Sequence, residues 1–359
     1  MTGADRGRPG PGWRMPAEWE QHAATWIAWP HNRRDWPGKF TPIPFVYAEI
    51  VRHLARHERV EVLVQDAGAE AKVRKLLERS GALDAEGGPV RFHRWPTDRI
   101  WLRDSGCSFL TGPGGLGAVS WTFNAWAKYP DWQRDRTVGR SMAEAAGART
   151  FQARHDGGPM VLEGGSIEVN GRGTLITTEE CLLSRVQERN PGLDRAGYEQ
   201  AFAQYLGVRR VIWLGRGVQG DDTHGHVDDL ARFVAPDTVV AAVEPDPAAP
   251  NHGPLADNLR RLRQAADQDD KPLKVVPLPM PAAPVFDGAR LPASYANFYL
   301  ANGLVLVPVF NDRNDRLALN TLAELFPDRE VVGVYAGDLI LGLGALHCLT
   351  QQQPQVEKR

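Results

Sequence analysis

A pattern of strand, tight turn, strand, helix and strand recurs along the chain, and it limits the folds that this sequence can adopt. Three segments have the two-strand part of the pattern, with Asn-Gly or Pro-Asp at the turn: residues 166–177, 230–242 and 296–308. A looser copy, residues 107–123, has Gly-Pro-Gly-Gly at its centre. After these copies, helices are predicted at about 137–146, 194–206, 254–267 and 315–325, and further strands at about 149–152, 209–214, 273–278 and 330–335.

The N-terminal part of the chain resembles a unit that lacks its first strand. Residues 25–29 predict a strand, 46–57 a helix and 60–65 a second strand, and the C-terminal segment 347–351 could supply the missing one. The pattern predicts an α/β fold of about five strand–strand–helix–strand units in one closed array, because each unit can bury its apolar face only against its neighbours. A coincidental run of hairpins in an ordinary α/β domain is the alternative.

A polar residue stands at or just before the first strand of each unit. The series is Asp104, Glu163, Asp228, Asn297 and, in the split unit, Cys348. Equivalent positions of a pseudo-symmetric ring converge on its axis. Three carboxylates and a cysteine are therefore expected to meet at one central site.

Composition narrows the kind of protein. Among 359 residues, 42 Lys plus Arg balance 44 Asp plus Glu, which argues against binding nucleic acid through bulk electrostatics. The three cysteines have no CxxC spacing, so we expect a reducing compartment, the cytoplasm. No apolar run predicts a secretory signal or a membrane span. Residues 1–12 are predicted to be disordered, 13–354 to form a single domain and 355–359 to be a flexible tail.

Cys348 is a candidate nucleophile. A lone cysteine is more often a small buried hydrophobe. Here the residues on either side are not typical of a core strand: the segment Gly342 to His347 contains glycines, and Thr350-Gln-Gln-Gln is polar. A thiol beside a bound cation would have a lowered pKa and would become reactive.

The segment Asp222-Thr-His-Gly-His-Val-Asp-Asp229 allows three interpretations. On a strand, His224, His226 and Asp228 would project to one face. They could bind a metal. However, His252 and His347 are the only histidines further along the sequence, and neither is expected to have potential ligand residues near it. In addition, Asp229 stands where the metallo-hydrolase pattern needs histidine. Alternatively, one histidine could be an acid/base beside a substrate-binding carboxylate, or the segment could be a satisfied polar strand end.

Two further carboxylates lie in glycine-containing turns. In Trp101-Leu-Arg-Asp-Ser-Gly106, Asp104 is either an Asx turn or a carboxylate that grips a planar cation while Trp101 stacks nearby. In Leu162-Glu-Gly-Gly-Ser166, Glu163 is either a buried turn residue or an orienting carboxylate for a histidine.

A cysteine, a histidine and three carboxylates around one axis suit a guanidinium substrate. Two carboxylates accept its N–H donors and balance its charge, while a thiolate attacks the central carbon. The expected reaction is hydrolysis of a guanidine to a urea with release of ammonia.

Several ordered motifs resemble the agmatine deiminase family, also described as the bacterial (Porphyromonas-type) peptidyl-arginine deiminase family. The resemblance runs from about Met15 to Pro354 and rests on these segments: Met15-Pro-Ala-Glu-Trp-Glu, Trp26-Ile-Ala-Trp-Pro, Trp101-Leu-Arg-Asp-Ser-Gly, Phe123-Asn-Ala-Trp, Glu163-Gly-Gly-Ser, Gly225-His-Val-Asp, Pro292-Ala-Ser-Tyr-Ala-Asn-Phe-Tyr and His347-Cys-Leu-Thr-Gln-Gln. It implies the five-bladed pentein α/β propeller, with pseudo-five-fold ββαβ repeats.

The resemblance also implies roles for individual residues. They are Cys348 as the nucleophile that forms an amidino-thioether, His226 as general acid/base, Asp104 and Asp228 as guanidinium clamps, Glu163 as the carboxylate beside the histidine, and Trp101, Gly225 and His224 as further substrate-binding positions. No metal and no organic cofactor is implied. The implied substrate is agmatine, the product is N-carbamoylputrescine on the way to putrescine, and the implied assembly is a homodimer.

The sequence departs from the family pattern at three places, which leaves substrate identity open. His224 replaces a common Asp, Gly342-Leu343-Gly344-Ala345 replaces Gly-Gly-Gly-Asn, and Cys107 replaces Pro. Arginine or a peptidyl arginine would need a cation for its carboxylate, which Arg185 or Arg189 could supply. An amidinotransferase, a metal-dependent hydrolase using His224, His226 and Asp228, and a guanidine-binding module are the remaining alternatives.

Overall fold

The computed structural model describes residues 7–83, 88–282 and 284–356. The predicted disordered N-terminus, 1–12, and flexible tail, 355–359, lie partly outside these residues and stay predictions, as do the domain limits 13–354. Within the described part of the chain, no helix is both long and apolar enough to cross a membrane.

The helices and strands alternate along the chain in five successive groups. The first contains β1 (His22–Ala28), α1 (Ile43–Leu54), β2 (Arg59–Val64), α2 (Ala67–Arg79) and β3 (Val90–Arg94). The second contains α3 (Leu102–Ser105), β4 (Ser108–Gly112), β5 (Gly115–Ser120), α4 (Val138–Ala145), β6 (Arg149–Gln152), β7 (Arg154–His155) and β8 (Gly158–Pro159). The third contains β9 (Glu168–Val169), β10 (Thr174–Thr178), α5 (Glu179–Leu183), α6 (Arg195–Leu206) and β11 (Arg210–Leu214). The fourth contains β12 (Ala231–Ala235), β13 (Thr238–Val243), α7 (His252–Gln264), β14 (Lys274–Pro279), β15 (Val285–Phe286) and β16 (Ala289–Arg290). The fifth contains β17 (Tyr299–Ala301), β18 (Leu304–Val309), α8 (Asp315–Leu325), β19 (Glu330–Tyr335), α9 (Leu346–Leu349) and β20 (Thr350–Pro354).

Five sheets share one strand order. In four of them, an antiparallel hairpin is followed by a helix and by a strand that pairs in parallel with the second hairpin strand: β4-β5-β6, β9-β10-β11, β12-β13-β14 and β17-β18-β19. The remaining sheet has the order β20-β1-β2-β3, with β20 antiparallel to β1 and β1 parallel to β2. The C-terminal strand therefore completes the N-terminal unit, and the fold is α/β.

Apolar residues fill the space between the sheets and the helices that cover them. The buried residues of α1 include Ile43, Tyr47, Ile50 and Leu54, whose spacing of three and four residues keeps them on one helix face. Every residue of β10 is buried, because a middle strand is covered on both faces.

Most predicted elements are confirmed to within a few residues, with two differences near the chain ends. The predicted strand at 347–351 begins only at Thr350, and residues 346–349 form the short helix α9 instead. The first sheet has a fourth strand, β3, reached through α2, which the repeat pattern did not predict.

Candidate active site

Five short helical turns contact one another in cyclic order, and each directly precedes the first strand of a sheet. They are α3, residues Gly164–Ser166, residues Val227–Asp229, residues Tyr295–Asn297, and α9, which contacts α3 again. Each turn holds or directly follows one member of the polar series. The members are Asp104, Glu163, Asp228, Asn297 and Cys348. The structure thus brings the whole series together.

A cavity of about 470 Å³ leads to this meeting point. Cys348 and Asp104 belong to its lining, as do the aromatic side chains of Trp101 and Trp126. Charged residues also line it: Arg34, Asp35, Arg99, Asp131 and Asp222. The cavity therefore combines aromatic faces with a surplus of carboxylates, which suits a planar cation.

The thiol of Cys348 is held by an amide and lies near a carboxylate. Asn297 donates from Nδ2 to Sγ at 3.1 Å, and Sγ lies 3.5 Å from Oδ2 of Asp228. Burial, together with the carboxylates of Asp228, Asp229 and Asp104, raises the pKa of Cys348 well above its usual value. These surroundings favour the protonated thiol over the thiolate.

Asp228 is oriented by a neighbouring histidine. Its Oδ2 lies 2.7 Å from Nδ1 of His347, whose Nε2 lies 2.8 Å from Oε2 of Glu18. Burial alone would raise the pKa of Asp228, but the hydrogen bond and the charge of His347 outweigh it and lower that pKa. The other oxygen, Oδ1, is buried without a hydrogen-bond partner. Asp228 is thus an ionised carboxylate whose Oδ2 lies between His347 and the thiol, while Oδ1 keeps its capacity to accept a hydrogen bond.

Asp104 lies on α3 and is held by two donors. Oδ1 accepts from the backbone N–H of Gly165 at 3.1 Å, and Oδ2 accepts from Nε1 of Trp126 at 2.9 Å. Burial raises the pKa of Asp104 to about 6 against the opposing charge of His226, with Asp228 and Glu163 adding to the rise. A cation in the cavity would stabilise its charged form.

His226 lies between two carboxylates. Nδ1 is 3.7 Å from Oδ1 of Asp104, and Nε2 is 3.9 Å from Oε2 of Glu163. Burial would lower the pKa of His226, but Asp104, Cys181 and Glu163 together outweigh it and raise that pKa well above its usual value. Among the residues that the structure describes, neither ring nitrogen has a hydrogen-bond partner, which leaves both available for proton transfer.

Glu163 is ionised because a buried arginine is paired with it. Arg189 donates from Nε to Oε1 at 3.1 Å, and both side chains are fully buried. Burial raises the pKa of Glu163, but Arg189 and His226 outweigh it and lower that pKa to about 2. Arg189 is thus engaged by Glu163, while Arg185 is exposed and does not belong to the lining of the cavity.

Gly165 lets three functional groups approach one another. A Cβ atom at this position would lie 2.5 Å from Nδ1 of His226, 2.9 Å from Oδ1 of Asp104 and 3.1 Å from Oδ2 of Asp228. Two of these distances are shorter than any real Cβ contact, so glycine is required here.

The strand predicted for residues 224–228 is wrong. Residues 222–225 form a turn and Val227–Asp229 a 3₁₀ turn, so alternation does not place these side chains on one face. His224 lines a different cavity and lies 3.1 Å from Oγ of Ser184. Gly225 packs against Glu180. The metal ligand set His224, His226 and Asp228 is therefore not assembled.

The site combines a thiol that can attack a bound substrate, Cys348, with an imidazole that can transfer a proton, His226. A planar cation beside Cys348 would meet Asp104 and the aromatic wall in the cavity lining, with Asp228 buried directly behind the thiol and the imidazole of His226 buried behind Asp104. These are the elements of nucleophilic attack on an electron-poor carbon.

The sequence pattern that defines the Porphyromonas-type peptidyl-arginine deiminases matches residues 14–354. The chain belongs to this family. It is 38% identical to an agmatine deiminase of Stutzerimonas stutzeri over 96% of both chains. Its structure is similar to that of an agmatine deiminase of Enterococcus faecalis, with a TM-score of 0.88 and 33% identity over 96% of both chains. It is also similar to an agmatine deiminase of C. jejuni with substrate bound, with a TM-score of 0.85 and 26% identity over 96% of this chain and 97% of the other.

Membership of the Porphyromonas-type family agrees with the resemblance seen in the motifs. Three residues of the site had no predicted role. Asn297 was part of the series without a role, and Trp126 was part of a quoted motif only. The expectation that His347 has no potential ligand residues near it is wrong, since its two ring nitrogens face the carboxylates of Asp228 and Glu18. Its position next to Cys348 was a signal that could have indicated a role.

One departure from the usual family pattern lies in the cavity wall. Leu343 lines the cavity and has φ +67°, in the left-handed region that favours glycine. A side chain at this position narrows the space near Cys348. His224, the second departure, lies outside this cavity.

Proposed function

We propose that this protein is an agmatine deiminase, a hydrolase of the C–N bonds of linear amidines that converts agmatine and water to N-carbamoylputrescine and ammonia. The observation that carries the proposal is the placement of Cys348 between the ionised Asp228, the cavity-lining Asp104 and the aromatic wall. Relatives named as agmatine deiminases over nearly the full chain length support the substrate.

The charges of the cavity favour a dication over arginine. Its lining holds the carboxylates of Asp35, Asp104, Asp131 and Asp222 but only two arginines, Arg34 and Arg99. Arg99 is already paired with Asp35 at 2.9 Å and with Asp131 at 3.0 Å. An ammonium at the far end of the substrate meets this surplus of negative charge favourably, whereas a carboxylate must find an unpaired cation.

The first half of the reaction uses the charge of the substrate to activate the thiol. The guanidinium offsets the carboxylates that raise the pKa of Cys348, so the thiol loses its proton to solvent and the thiolate attacks the guanidinium carbon. His226, protonated in the free enzyme, donates a proton to one amino group, which leaves as ammonia. A C–S bond has formed and a C–N bond has broken, which leaves an amidino-thioether on Cys348.

The second half replaces sulfur by oxygen. His226, now neutral, takes a proton from water, and the hydroxide adds to the same carbon. The C–S bond breaks, the hydroxyl proton passes to the departing sulfur, and the urea product forms. Glu163 and Asp104 stabilise the imidazolium form of His226 in both halves of the reaction, because the two carboxylates lie on opposite sides of its ring. We expect no metal and no organic cofactor.

A deiminase for arginine or a peptidyl arginine is the second candidate. It is favoured by Arg34, which lines the cavity and whose side chain is 80% exposed; Arg34 is paired with Asp131 at 3.1 Å, so a substrate carboxylate would replace Asp131 as its partner. Of the anchors predicted from sequence, Arg189 is engaged by Glu163 and Arg185 does not line the cavity.

We also propose that the five sheets are the blades of a closed pentein propeller and that the protein is a cytoplasmic homodimer. The cyclic contacts among the five helical turns and the pairing of β20 with β1 support the propeller. Light scattering of the purified protein tests the dimer.

Steady-state kinetics on agmatine, arginine and a peptide with C-terminal arginine test the substrate. We expect kcat/KM for agmatine to exceed that for arginine by about a hundredfold or more, because a buried unpaired carboxylate costs several kcal/mol. The ureido product and ammonia should form in equal amounts, with Cys348→Ala as the background. A higher kcat/KM for arginine would contradict the agmatine proposal, and its loss in Arg34→Ala would identify the anchor.

A further inference from the structure

The reaction outlined above leaves one buried thiol of the site unused. Cys181 lies on α5, and its backbone N–H donates to Oγ of Thr178 at 3.0 Å. The same hydroxyl donates to the carbonyl of Gly225 at 2.6 Å, which ties α5 to the turn before His226. Two local hydrogen bonds therefore fix the thiol next to the proposed acid/base.

The thiol shares a small volume with two other potential ligands. Sγ of Cys181, a carboxylate oxygen of Glu163 and a ring nitrogen of His226 all lie within 4.8 Å of one another. Nε2 of His226 is 3.9 Å from Oε2 of Glu163. Ligand atoms about 2.0–2.3 Å from a tetrahedral zinc ion lie roughly 3.3–3.7 Å apart. The Nε2–Oε2 pair at 3.9 Å needs to close by only a few tenths of an ångström, and the thiol, within 4.8 Å of both, by up to about an ångström.

Within the described part of the chain, two of these atoms are buried without a hydrogen-bond partner. They are Oε2 of Glu163 and Nε2 of His226, in side chains with 0% and 1% exposure. Buried polar atoms are almost always paired, so such a pair facing one space points to a group that can bind both. Arg189 holds Oε1 and thereby aims Oε2 at this space.

The surrounding charges are compatible with a divalent cation. Glu163 is ionised, since its pKa is lowered to about 2. Asp104 faces Nδ1 of His226 at 3.7 Å, and a carboxylate on one ring nitrogen favours metal binding at the other. The positive charge of Arg189 repels a cation at this position, but its ion pair with Glu163 at 3.1 Å partly neutralises that charge.

We propose that Glu163, Cys181 and His226 form an inhibitory site for a thiophilic divalent cation, for which Zn²⁺ is the probe. One sulfur, one nitrogen and one oxygen donor match the preference of zinc, whereas Mg²⁺ and Ca²⁺ take oxygen ligands only. The ion displaces two protons, that of the Cys181 thiol and the one that protonated His226 carries on Nε2, and both pass to solvent. Because proton transfer by His226 belongs to the proposed function, inhibition rests on that function, while binding of the metal does not.

Metal binding is tested first without reference to activity. Equilibrium dialysis of the Cys348→Ala protein against Zn²⁺ should give one bound ion per chain, and Co²⁺ in the same protein should give a thiolate-to-cobalt charge-transfer band. Cys181→Ala, and Cys181→Ser as a second variant, should bind at least about tenfold more weakly and lose the band. Cys107→Ala is the matched control, because Cys107 is equally buried but belongs to a different packing cluster. Retained binding in the folded Cys181 variants, or its loss in Cys348→Ala, would overturn the site.

Inhibition is measured next, each variant against its own metal-free rate. Zn²⁺ should inhibit the wild type, a chelator should restore the full rate, and Mg²⁺ should have no effect. The Zn²⁺ concentration for half inhibition should rise at least about tenfold in Cys181→Ser and stay unchanged in Cys107→Ala. An unchanged value in Cys181→Ser would refute the proposal even if agmatine is the substrate. If no guanidine is turned over, the proposed function fails and the dialysis result still decides the metal site.

Discussion

Cys348 has a pKa well above that of a free thiol, although it is the proposed nucleophile. The carboxylates that surround it disfavour a thiolate as long as the site is empty. A cationic substrate removes this penalty, so reactivity is coupled to occupancy. Neutral or anionic molecules should leave the thiol protonated and unreactive.

Replacement of the nucleophile should abolish turnover. Cys348→Ala should reduce kcat to background while the far-ultraviolet circular dichroism stays unchanged, because only a small side chain is lost. Mass spectrometry of wild type quenched during turnover should show an amidino adduct on the peptide that contains Cys348. An adduct on Cys107 or Cys181, or activity in the alanine variant, would contradict the assignment.

His347 should act as a positioning residue through Asp228. Its ring bridges Asp228 and Glu18, and a hydrogen bond to a charged group contributes about 1.5–3 kcal/mol. We expect His347→Leu to raise KM by about tenfold to a hundredfold with a smaller fall in kcat, because the clamp is misplaced while the thiol remains. His347→Gln, which keeps a donor, should recover part of the loss.

A purely structural role of His347 predicts a different result. In that case the Leu and Gln variants would lose thermal stability together, and their KM would equal that of the wild type. Melting temperatures measured on the same samples separate the two explanations.

Turn chemistry and apolar periodicity account for most of the secondary structure. Asn302-Gly303 connects β17 to β18, and Asn170-Gly171 lies in the four-residue connection between β9 and β10. The glycine φ values of +66° and +70° lie in the left-handed region that glycine adopts without strain. The long helices begin and end close to their predicted limits because their patterns are local. The error at residues 224–228 arose because two histidines and an aspartate at alternate positions resemble a strand, whereas Gly225 and the Asp221 carboxylate favour a turn.

The cap of α6 should contribute measurably to stability. Asp194 accepts from the backbone N–H of Gly197 at 2.9 Å, and it has no part in the site. Asp194→Ala should lower the free energy of unfolding by about 1 kcal/mol and leave kcat/KM unchanged. Gln200→Ala, an exposed change in the same helix, is the control and should have little effect in urea unfolding. Equal losses in both variants would contradict a capping role.

The first and last sheets are joined by a buried polar cluster as well as by β20. Glu58 accepts from His22 at 3.2 Å and from the backbone N–H of Asn302 at 2.8 Å, and also from the hydroxyl of Thr25. Burial alone would raise the pKa of Glu58, but the hydrogen bonds from His22 and its neighbours outweigh it and lower that pKa. The native state therefore binds the proton of Glu58 less tightly than the unfolded chain.

This linkage predicts a pH-dependent stability difference. Glu58→Gln should be less stable than wild type by about 1–3 kcal/mol at pH 7. A lowered carboxyl pKa stabilises the fold above the unfolded value of about 4.3, and this contribution disappears as the pH falls through the folded value. The difference between the two proteins in urea unfolding should shrink below about pH 4. A difference that is constant from pH 7 to pH 3 would refute the linkage.

The repeat of hairpin, helix and strand and the series from Asp104 to Cys348 could be read from the amino-acid sequence, because turn residues and apolar periodicity act over a few positions. The sequence also indicated the family, whose motifs are short and ordered. Which residues distant in sequence lie next to each other in the site could be seen only from the folded chain. His347 meets Asp228 across 119 residues, and Cys181 meets His226 across a separate turn. The same holds for ionisation, since burial and groups that are distant in sequence, among them Asp104, Glu163 and Asp228, set the pKa of Cys348 and His226.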